Sequence, residues 1–360
     1  MRVLQLIDSL DAGGAERMAV NLANALIGEV DGSYLCATRA EGLLKAAIDP
    51  SVSYSYLKKR RAFDLVAIYK LYTLVKTEKI SIIHAHSSSF FLGTLVKVLH
   101  PKVKLIWHDH YGNSELLSER PYHILQFCSR FFDMVFCVNT NLVAWNRTHL
   151  KTPYIEFLSN FVLASTTENK LTELEGAAGK RILCLANLRP QKDHLTLLKA
   201  FYEIHLLYPE WTLHLVGKDF NDAYSDSIKH YISEQHLDTS VFLYGSQPDT
   251  DYIMSQCDIG VLSSISEGLP LALLEYGVGG LAVVTTNVGD CNRIIINDTL
   301  GQLVKPSNVE LLAMTLKMYM DNVRLRKTVA SNLQTHVQDH FSKDSIIETL
   351  ILNYKQLLPR

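Results

Sequence analysis

Short apolar runs alternate along this chain with segments whose apolar residues recur every three to four positions. "RVLQLID" (2–8) reads as a strand and "AERMAVNLANAL" (15–26) as a helix. "SIIHAHS" (81–87), "VKLIWHD" (103–109) and "DMVFCVN" (133–139) are further strands, with helical spacing between them. Brief apolar runs bounded by polar residues suit strands buried on both faces, and strand–helix alternation builds a parallel sheet. The rhythm stops at 164–180, "ASTTENKLTELEGAAGK", a polar, acidic, glycine-bearing segment with the composition of an interdomain linker. It restarts with "RILCLAN" (181–187), a helix over 193–207, "TLHLVGK" (212–218), "SVFLYG" (240–245), "IGVLSS" (259–264) and "LAVVTT" (281–286). A polar-faced helical stretch then runs from about 307 to 357. The pattern predicts an α/β fold of two Rossmann-like, doubly wound parallel-sheet domains. The first covers 1–165 on the acceptor side, a linker follows over 166–180, and the second covers 181–335, with a C-terminal helix over 336–360 packing back toward the first. Such sheets bind ligands at the carboxyl ends of their strands, so two facing edges would hold a ligand in a deep cleft.

Composition narrows function more than fold. The 360 residues carry 35 basic and 37 acidic side chains, a net charge of −2. That balance argues against a nucleic-acid partner, which selects for basic excess. The six cysteines form no C-x-x-C pair and lie mostly in apolar runs, as reduced core residues of a cytoplasmic protein do. The apolar run at the N-terminus is too short for a signal peptide, and no run suits a membrane span. Peripheral contact is a separate matter. "YLKKRRAFDLVAIYKLYTLVK" (56–76) opens with four consecutive cations and continues as an amphipathic helix bearing Lys70. It reads either as a solvated helix or as one that docks on anionic membrane, where each cation contributes about 1 kcal/mol.

Four stretches carry candidate chemistry. In "DSLDAGGAER", Gly13 and Gly14 sit between a strand and a helix start, where backbone N–H groups can approach a phosphate or sugar, although a plain turn has the same form. In "ANLRPQKDH", Asn187, Arg189 and Lys192 lie just past a strand, and the two cations can meet a phosphate. "IWHDHYGNSE" places His108, Asp109 and His110 at a strand end, near the pair His84 and His86 in "HAHS". H-x-H suits zinc or iron, but no carboxylates accompany these histidines at ligand spacing, so no metal site is expected. Asp249 and Asp251 have the D-x-D form, yet a helical run follows and helix capping accounts for them. The fourth stretch, "SSISEGLPLALLEYGVGG" (263–280), is the most specific. Glu267, Gly268 and Leu269 form a loop after a strand, Pro270 suits the first turn of the next helix, and Glu275 lies about 7.5 Å further along its axis. Carboxylates only accept hydrogen bonds, so each suits a pair of vicinal hydroxyls, one on a transferred sugar and one on a ribose.

"GGAER", "RPQK", "SEGLPLALLE" and "VTTNVGD…LGQLVKPSN", in that order, resemble the family 4 (group 1) retaining glycosyltransferases of the GT-B fold. The resemblance spans nearly the whole chain. It implies transfer of a sugar from a nucleotide-diphosphate-sugar donor, held mainly by the second domain, to an acceptor hydroxyl, with no metal or other cofactor. By position Glu267 would contact the donor sugar and Glu275 the ribose, with Gly268, Leu269 and the backbone through Pro270 and Leu271 facing sugar and diphosphate. Gly14, beside Gly13, would approach the diphosphate, Lys192 and Arg189 would neutralise it, and His108 matches a histidine placed near the transferred sugar. Two departures stand out. Asn187 occupies the position of the family's arginine, with Arg189 two residues on, and "EYGVGG" replaces a run of small residues. Front-face attack, with the leaving phosphate taking the acceptor's proton, is the expected chemistry. Bacterial-type polysaccharide, lipopolysaccharide or lipid-linked glycan assembly is the expected setting, with a glycan or lipid-linked acceptor read by loops 9–14, 58–63 and 108–120. A non-catalytic nucleotide-sugar-binding protein, or another GT-B enzyme such as a sugar-nucleotide epimerase, shares these residues.

Overall fold

The computed structural model describes residues 1–163 and 170–358, so the linker positions 166–169 lie outside the described residues. The chain forms two units, Met1–Phe161 with Lys343–Arg360, and Val162–Ser342. In the first, seven strands make one sheet: β1 (Arg2–Ser9), β2 (Gly32–Ala40), β3 (Ser53–Tyr56), β4 (Ile82–His86), β5 (Lys104–Asp109), β6 (Met134–Cys137) and β7 (Ile155–Phe157). Their order is β3-β2-β1-β4-β5-β6-β7, and every pairing is parallel. In the second unit six parallel strands, β8 (Arg181–Leu185), β9 (Thr212–Val216), β10 (Val241–Gly245), β11 (Ile259–Leu262), β12 (Ala282–Thr286) and β13 (Gln302–Val304), run in the order β10-β9-β8-β11-β12-β13. Each sheet reverses its winding beside its first strand, between β1 and β4 and between β8 and β11. Loops leaving such a switch point diverge and open a crevice for ligand.

The central strands form because alternate residues are buried against helices on opposite faces. Leu4 and Leu6 of β1 join a core with Leu71, Val75 and Leu92, whereas Ile7 packs with Ala19 and Ala23 of the helix Gly14–Ala25. The pattern of apolar runs missed β2, β3, β7 and β13. "SYSY", "IEF" and "QLV" are too short to make an apolar run, each broken by a polar residue or bounded by one, and β2 dilutes its apolar residues with Ser33, Thr38 and Arg39. The C-terminal stretch is three helices, Val309–Asp321, Val323–His340 and Lys343–Leu357. Asn322 breaks the first from the second and caps the second by accepting the Leu325 N–H. Only Lys343–Leu357 joins the first unit, where Tyr354 is fully buried.

One expectation fails. The Asp249 side chain does not cap the helix Thr250–Ser255. Its carboxylate instead accepts the N–H groups of Leu171 (2.8 Å) and Thr172 (2.7 Å) and the Thr172 hydroxyl (2.9 Å). Arg181 donates to the Leu174 and Gly176 carbonyls, both at 2.8 Å, so residues 171–176 are strapped onto the second unit. A nearly buried carboxylate takes the donors that satisfy it best. The six cysteines are free thiols. Among the described residues no helix is long and apolar enough to cross a membrane.

Candidate functional site

Of the residues of the second unit that the sequence singled out, Lys192 and Glu267 with its loop come together at the carboxyl ends of β8 and β11. Lys192 Nζ lies 2.6 Å from Glu267 Oε1, and the Ser264 hydroxyl donates to the same oxygen at 2.6 Å. Both loops are held by their own backbones. Ile265 N–H donates to Gln191 C=O, and the Ser263 hydroxyl lies within reach of the Lys192 (2.9 Å) and Asp193 (3.0 Å) carbonyls. Asp193, in the left-handed conformation at φ 47°, turns the chain and caps the helix His194–His205 by accepting the Thr196 N–H. Glu267, Gly268, Leu269 and Pro270 are buried. Behind them the Thr286 hydroxyl donates to Ser264 C=O at 2.6 Å and Asp290 N–H to Gly268 C=O at 2.9 Å. Gly289 has φ +53°, and a Cβ there would lie 2.3 Å from Glu267 O. Only glycine permits that approach.

The helix Leu271–Val278 begins directly after this loop, and its positive dipole end adds to the Lys192 charge. Glu275 sits in its second turn, 9% exposed. The "EYGVGG" departure has a structural use. β8 and β11 pair only at Ile182–Ile259 and Leu183–Gly260 before the switch point parts them. Beyond that the Tyr276 oxygen accepts Leu185 N–H at 2.6 Å, and its hydroxyl lies 3.3 Å from both Leu183 O and Val261 O. Its ring lies over Gly260, where a Cβ would be 2.6 Å away, and Gly277 lets Val337 pack equally close. Asn187 and Arg189 do not join Lys192. Asn187 Oδ1 accepts the Lys218 N–H at 2.7 Å, and the exposed Arg189 guanidinium lies 4.4 Å from the Phe220 ring centroid.

The first unit's switch point is built differently. Gly13 and Gly14 lie between β1 and the helix Gly14–Ala25. Gly14 is exposed with open space where a Cβ would stand, while the Glu16 carboxylate folds over Gly13. Along β4 and β5 four imidazoles interlock. His84 Nδ1 meets the Tyr354 hydroxyl at 2.5 Å, and His84 Nε2 meets His108 Nδ1 at 3.2 Å. His86 Nε2 lies 2.8 Å from Gln5 Oε1, and His86 Nδ1 lies 3.0 Å from His110 Nε2. The Gln5 oxygen can only accept, so His86 carries its proton on Nε2 and His110 donates from its own Nε2. His84, His86 and His108 each bring a nitrogen within 4.8 Å of the other two, the proximity a metal ion would need; both nitrogens of His84 and of His86 have hydrogen-bond partners, whereas His108 pairs through Nδ1 alone. Burial keeps all four imidazoles neutral, lowering His84 to about 3 and His110 to about 4. His108 has no exposed surface and its Nε2 has no partner, whereas His110 reaches the surface at the end of β5. Asp109 is held by Arg120 through paired bonds of 2.8 Å, beneath Trp107, Tyr111 and Trp145.

Two family models match in tandem, Glycosyltransferase Family 4 over residues 12–162 and Glycosyl transferases group 1 over residues 167–336. The chain belongs to the group 1/family 4 glycosyltransferases. An uncharacterized glycosyltransferase of Haemophilus influenzae is 23% identical over 359 residues, covering 96% of each chain. The UDP-Gal:alpha-D-GlcNAc-diphosphoundecaprenol alpha-1,3-galactosyltransferase of Escherichia coli is 23% identical, covering 78% of this chain and 76% of that one. The Anabaena protein HepE, solved in complex with UDP-glucose, superposes with a TM-score of 0.82 at 17% identity, over 99% of this chain and all of the other. The fold of this glycosyltransferase is GT-B. Its sequence pointed to Lys192, Glu267 and the loop between β11 and the following helix. It gave no role to the hydroxyls of Ser263, Ser264 and Tyr276: Ser263 and Tyr276 meet Lys192 and Leu185, 71 and 91 residues away, whereas Ser264 meets Glu267 three residues on. "VTTNVGD" was the available signal for Thr286, Gly289 and Asp290.

Proposed function

We propose that this glycosyltransferase moves a sugar from a nucleoside-diphosphate sugar to a hydroxyl of a lipid-linked or lipopolysaccharide-type glycan, with retained anomeric configuration and no metal. The observation that carries the reading is the Lys192–Glu267 pair, held by Ser264 at a switch point beside a helix N-terminus. A diphosphate there meets Lys192 and the backbone ahead of Leu271, and its growing negative charge is stabilised as the sugar departs. Glu267, released from part of its bond to Lys192, accepts sugar hydroxyls, and Glu275 accepts from the ribose. With no second carboxylate assigned as a nucleophile, the acceptor attacks from the leaving-group side and the departing phosphate takes its proton. Arg189 acts on the diphosphate only by leaving Phe220, and His110 rather than His108 is the imidazole that meets ligand. The relatives' names support a uridine nucleotide and a polyprenyl-diphosphate acceptor; with such an acceptor the reaction would take place at a membrane face, and the inner face of the cytoplasmic membrane is the setting proposed.

A donor panel tests this. UDP-galactose, UDP-glucose, UDP-N-acetylglucosamine and GDP-mannose are incubated with polyprenyl-diphosphate sugars, with and without chelator. One donor is expected to give a glycosylated lipid whose new linkage keeps the donor's anomeric configuration by NMR, at a rate indifferent to chelator. No transfer and no donor-induced rise in melting temperature would remove the reading. An epimerised donor formed without acceptor would replace it with epimerase chemistry.

A further inference from the structure

A polar side chain stands in the middle of the first unit's sheet. Gln5 is fully buried on β1, between Leu4 and Leu6 of the core. The parallel register sets it opposite His84, and His86 opposite His108, so these side chains share one face. Gln5 Oε1 accepts the His86 Nε2–H at 2.8 Å, and His86 Nδ1 accepts from His110 Nε2 at 3.0 Å. Gln5 Nε2 is buried with no partner, a cost in stability that gives the amide a use other than packing. A neutral imidazole has one N–H and one bare nitrogen, and the partner of one fixes the state of the other. Burial keeps His86 and His110 neutral near pH 7. A carboxylate at position 5 would draw a proton onto His86, and an aliphatic side chain would leave its two tautomers open. An amide does neither, and it has a direction. With the oxygen toward His86, His110 keeps a bare Nδ1; with the NH2 group there instead, each proton in the chain would move and Nδ1 would carry one.

We propose that Gln5 is a positioning residue for substrate: it holds His86 in the Nε2–H tautomer, so that His110 presents a bare Nδ1 that accepts a hydrogen bond from one sugar hydroxyl. This role rests on His110 being the imidazole that meets ligand in the proposed transfer. His110 is partly exposed at the end of β5, and Nδ1 is the nitrogen it has left for a ligand. A bare nitrogen selects for a group with a proton to give. It favours a hydroxyl and disfavours an ionised phosphate oxygen or an acetamido carbonyl, both of which can only accept. The hydroxyl belongs either to the donor's sugar or to the glycan acceptor. The second chain in the cluster, from Tyr354 through His84 to His108, ends at a nitrogen with no exposed surface, so only the chain from Gln5 has an outlet.

Nitrogen NMR of the full-length protein, isotope-labelled at histidine, reads the tautomers with no substrate present, so its outcome is independent of the proposed transfer. Near neutral pH, His110 is expected to show a protonated Nε2 and a bare Nδ1, with His86→Asn and His110→Asn assigning the two rings. Gln5→Met keeps the approximate size of the side chain without its amide and should mix the His110 tautomers. Tyr354→Phe alters the other chain and should leave them as in wild type. In transfer assays Gln5→Met should raise KM for one substrate about five- to tenfold, the loss of one neutral hydrogen bond, with kcat within about twofold of wild type. A rise in donor KM assigns the hydroxyl to the donor's sugar, and a rise in acceptor KM assigns it to the glycan. The proposal is overturned if wild-type His110 carries its proton on Nδ1, if folded Gln5→Met keeps the wild-type tautomer, or if neither KM changes. Should Gln5→Met not fold, the wild-type spectrum decides by itself.

Discussion

The two units share one winding and fill its switch point with opposite chemistry. In the second unit the crevice beside β8 and β11 holds an ion pair, Lys192 with Glu267, fixed by hydroxyls and backbone. In the first, the ends of β4 and β5 hold neutral imidazoles, and the nearby buried ion pair Asp109–Arg120 is closed over by aromatic rings. Topology thus supplies two equivalent crevices, and side chains decide which one absorbs charge. The unit with a partly solvated lysine is suited to a diphosphate. The unit with uncharged rings is suited to neutral hydroxyls.

The largest effect should come from removing that charge. Lys192→Ala is expected to lower turnover about 100-fold or more, because one preorganised electrostatic group at a leaving anion is worth that much. It also leaves the carboxylate of Glu267 buried without its cation. Single-turnover kinetics with saturating donor would check this, and near-normal turnover would strike Lys192 from the chemistry. Next is Gly289→Ala. A methyl would enter the space of the Glu267 and Gly268 carbonyls at a positive φ, and a loss of at least about 2 kcal/mol in unfolding free energy is expected. Donor affinity should fall with it, since the loop that carries Glu267 must move. An unchanged denaturation midpoint would show that the loop does not depend on this brace. Tyr276→Phe should cost less, about 1–2 kcal/mol, by leaving Leu185 N–H without its acceptor.

The order of these effects shows what the sequence could disclose. Central strands were legible because burial on both faces makes a continuous apolar run, as in "RILCL" of β8. The second site was legible because Glu267, Gly268 and Pro270 lie together in one loop. Its braces were not, since Tyr276 meets Leu183 at a separation of 93 residues and nothing local marks that bond. His108 and His110 share a strand parity, so spacing could not rank them. Depth did so, His108 being fully buried and His110 not, and nothing local marks depth, just as nothing local marks the bond from Tyr354 to His84, 270 residues away.

The histidine cluster gives the comparison a pH signature. Its folded pKa values lie below the ordinary 6.5, so the unfolded chain binds protons that the folded unit refuses. This stability is complete above about pH 6.5 and is lost as pH falls from there toward 4, by up to about 1.4 kcal/mol per pH unit for each histidine. Denaturant unfolding followed through Trp107 and Trp145, with Trp211 replaced by Phe, should show the decline in the first unit. His108→Asn should make it shallower. A slope the same in wild type and variant would mean that His108 is not held neutral.

The smallest effect is expected at Arg189, and its size discriminates. The guanidinium rests on Phe220 at an exposed site, where a cation–π contact is worth about 0.5–1 kcal/mol. If it stays there during turnover, Arg189→Ala should change donor KM and kcat by less than about fivefold, with Phe220→Leu equally mild. If instead it swings onto the diphosphate, the alanine variant should approach Lys192→Ala in its loss of kcat, while Phe220→Leu should leave kcat intact by freeing the arginine. The side chain at 187 already bonds to the Lys218 N–H. The two variants together therefore decide whether this unit neutralises its ligand with one cation or with two.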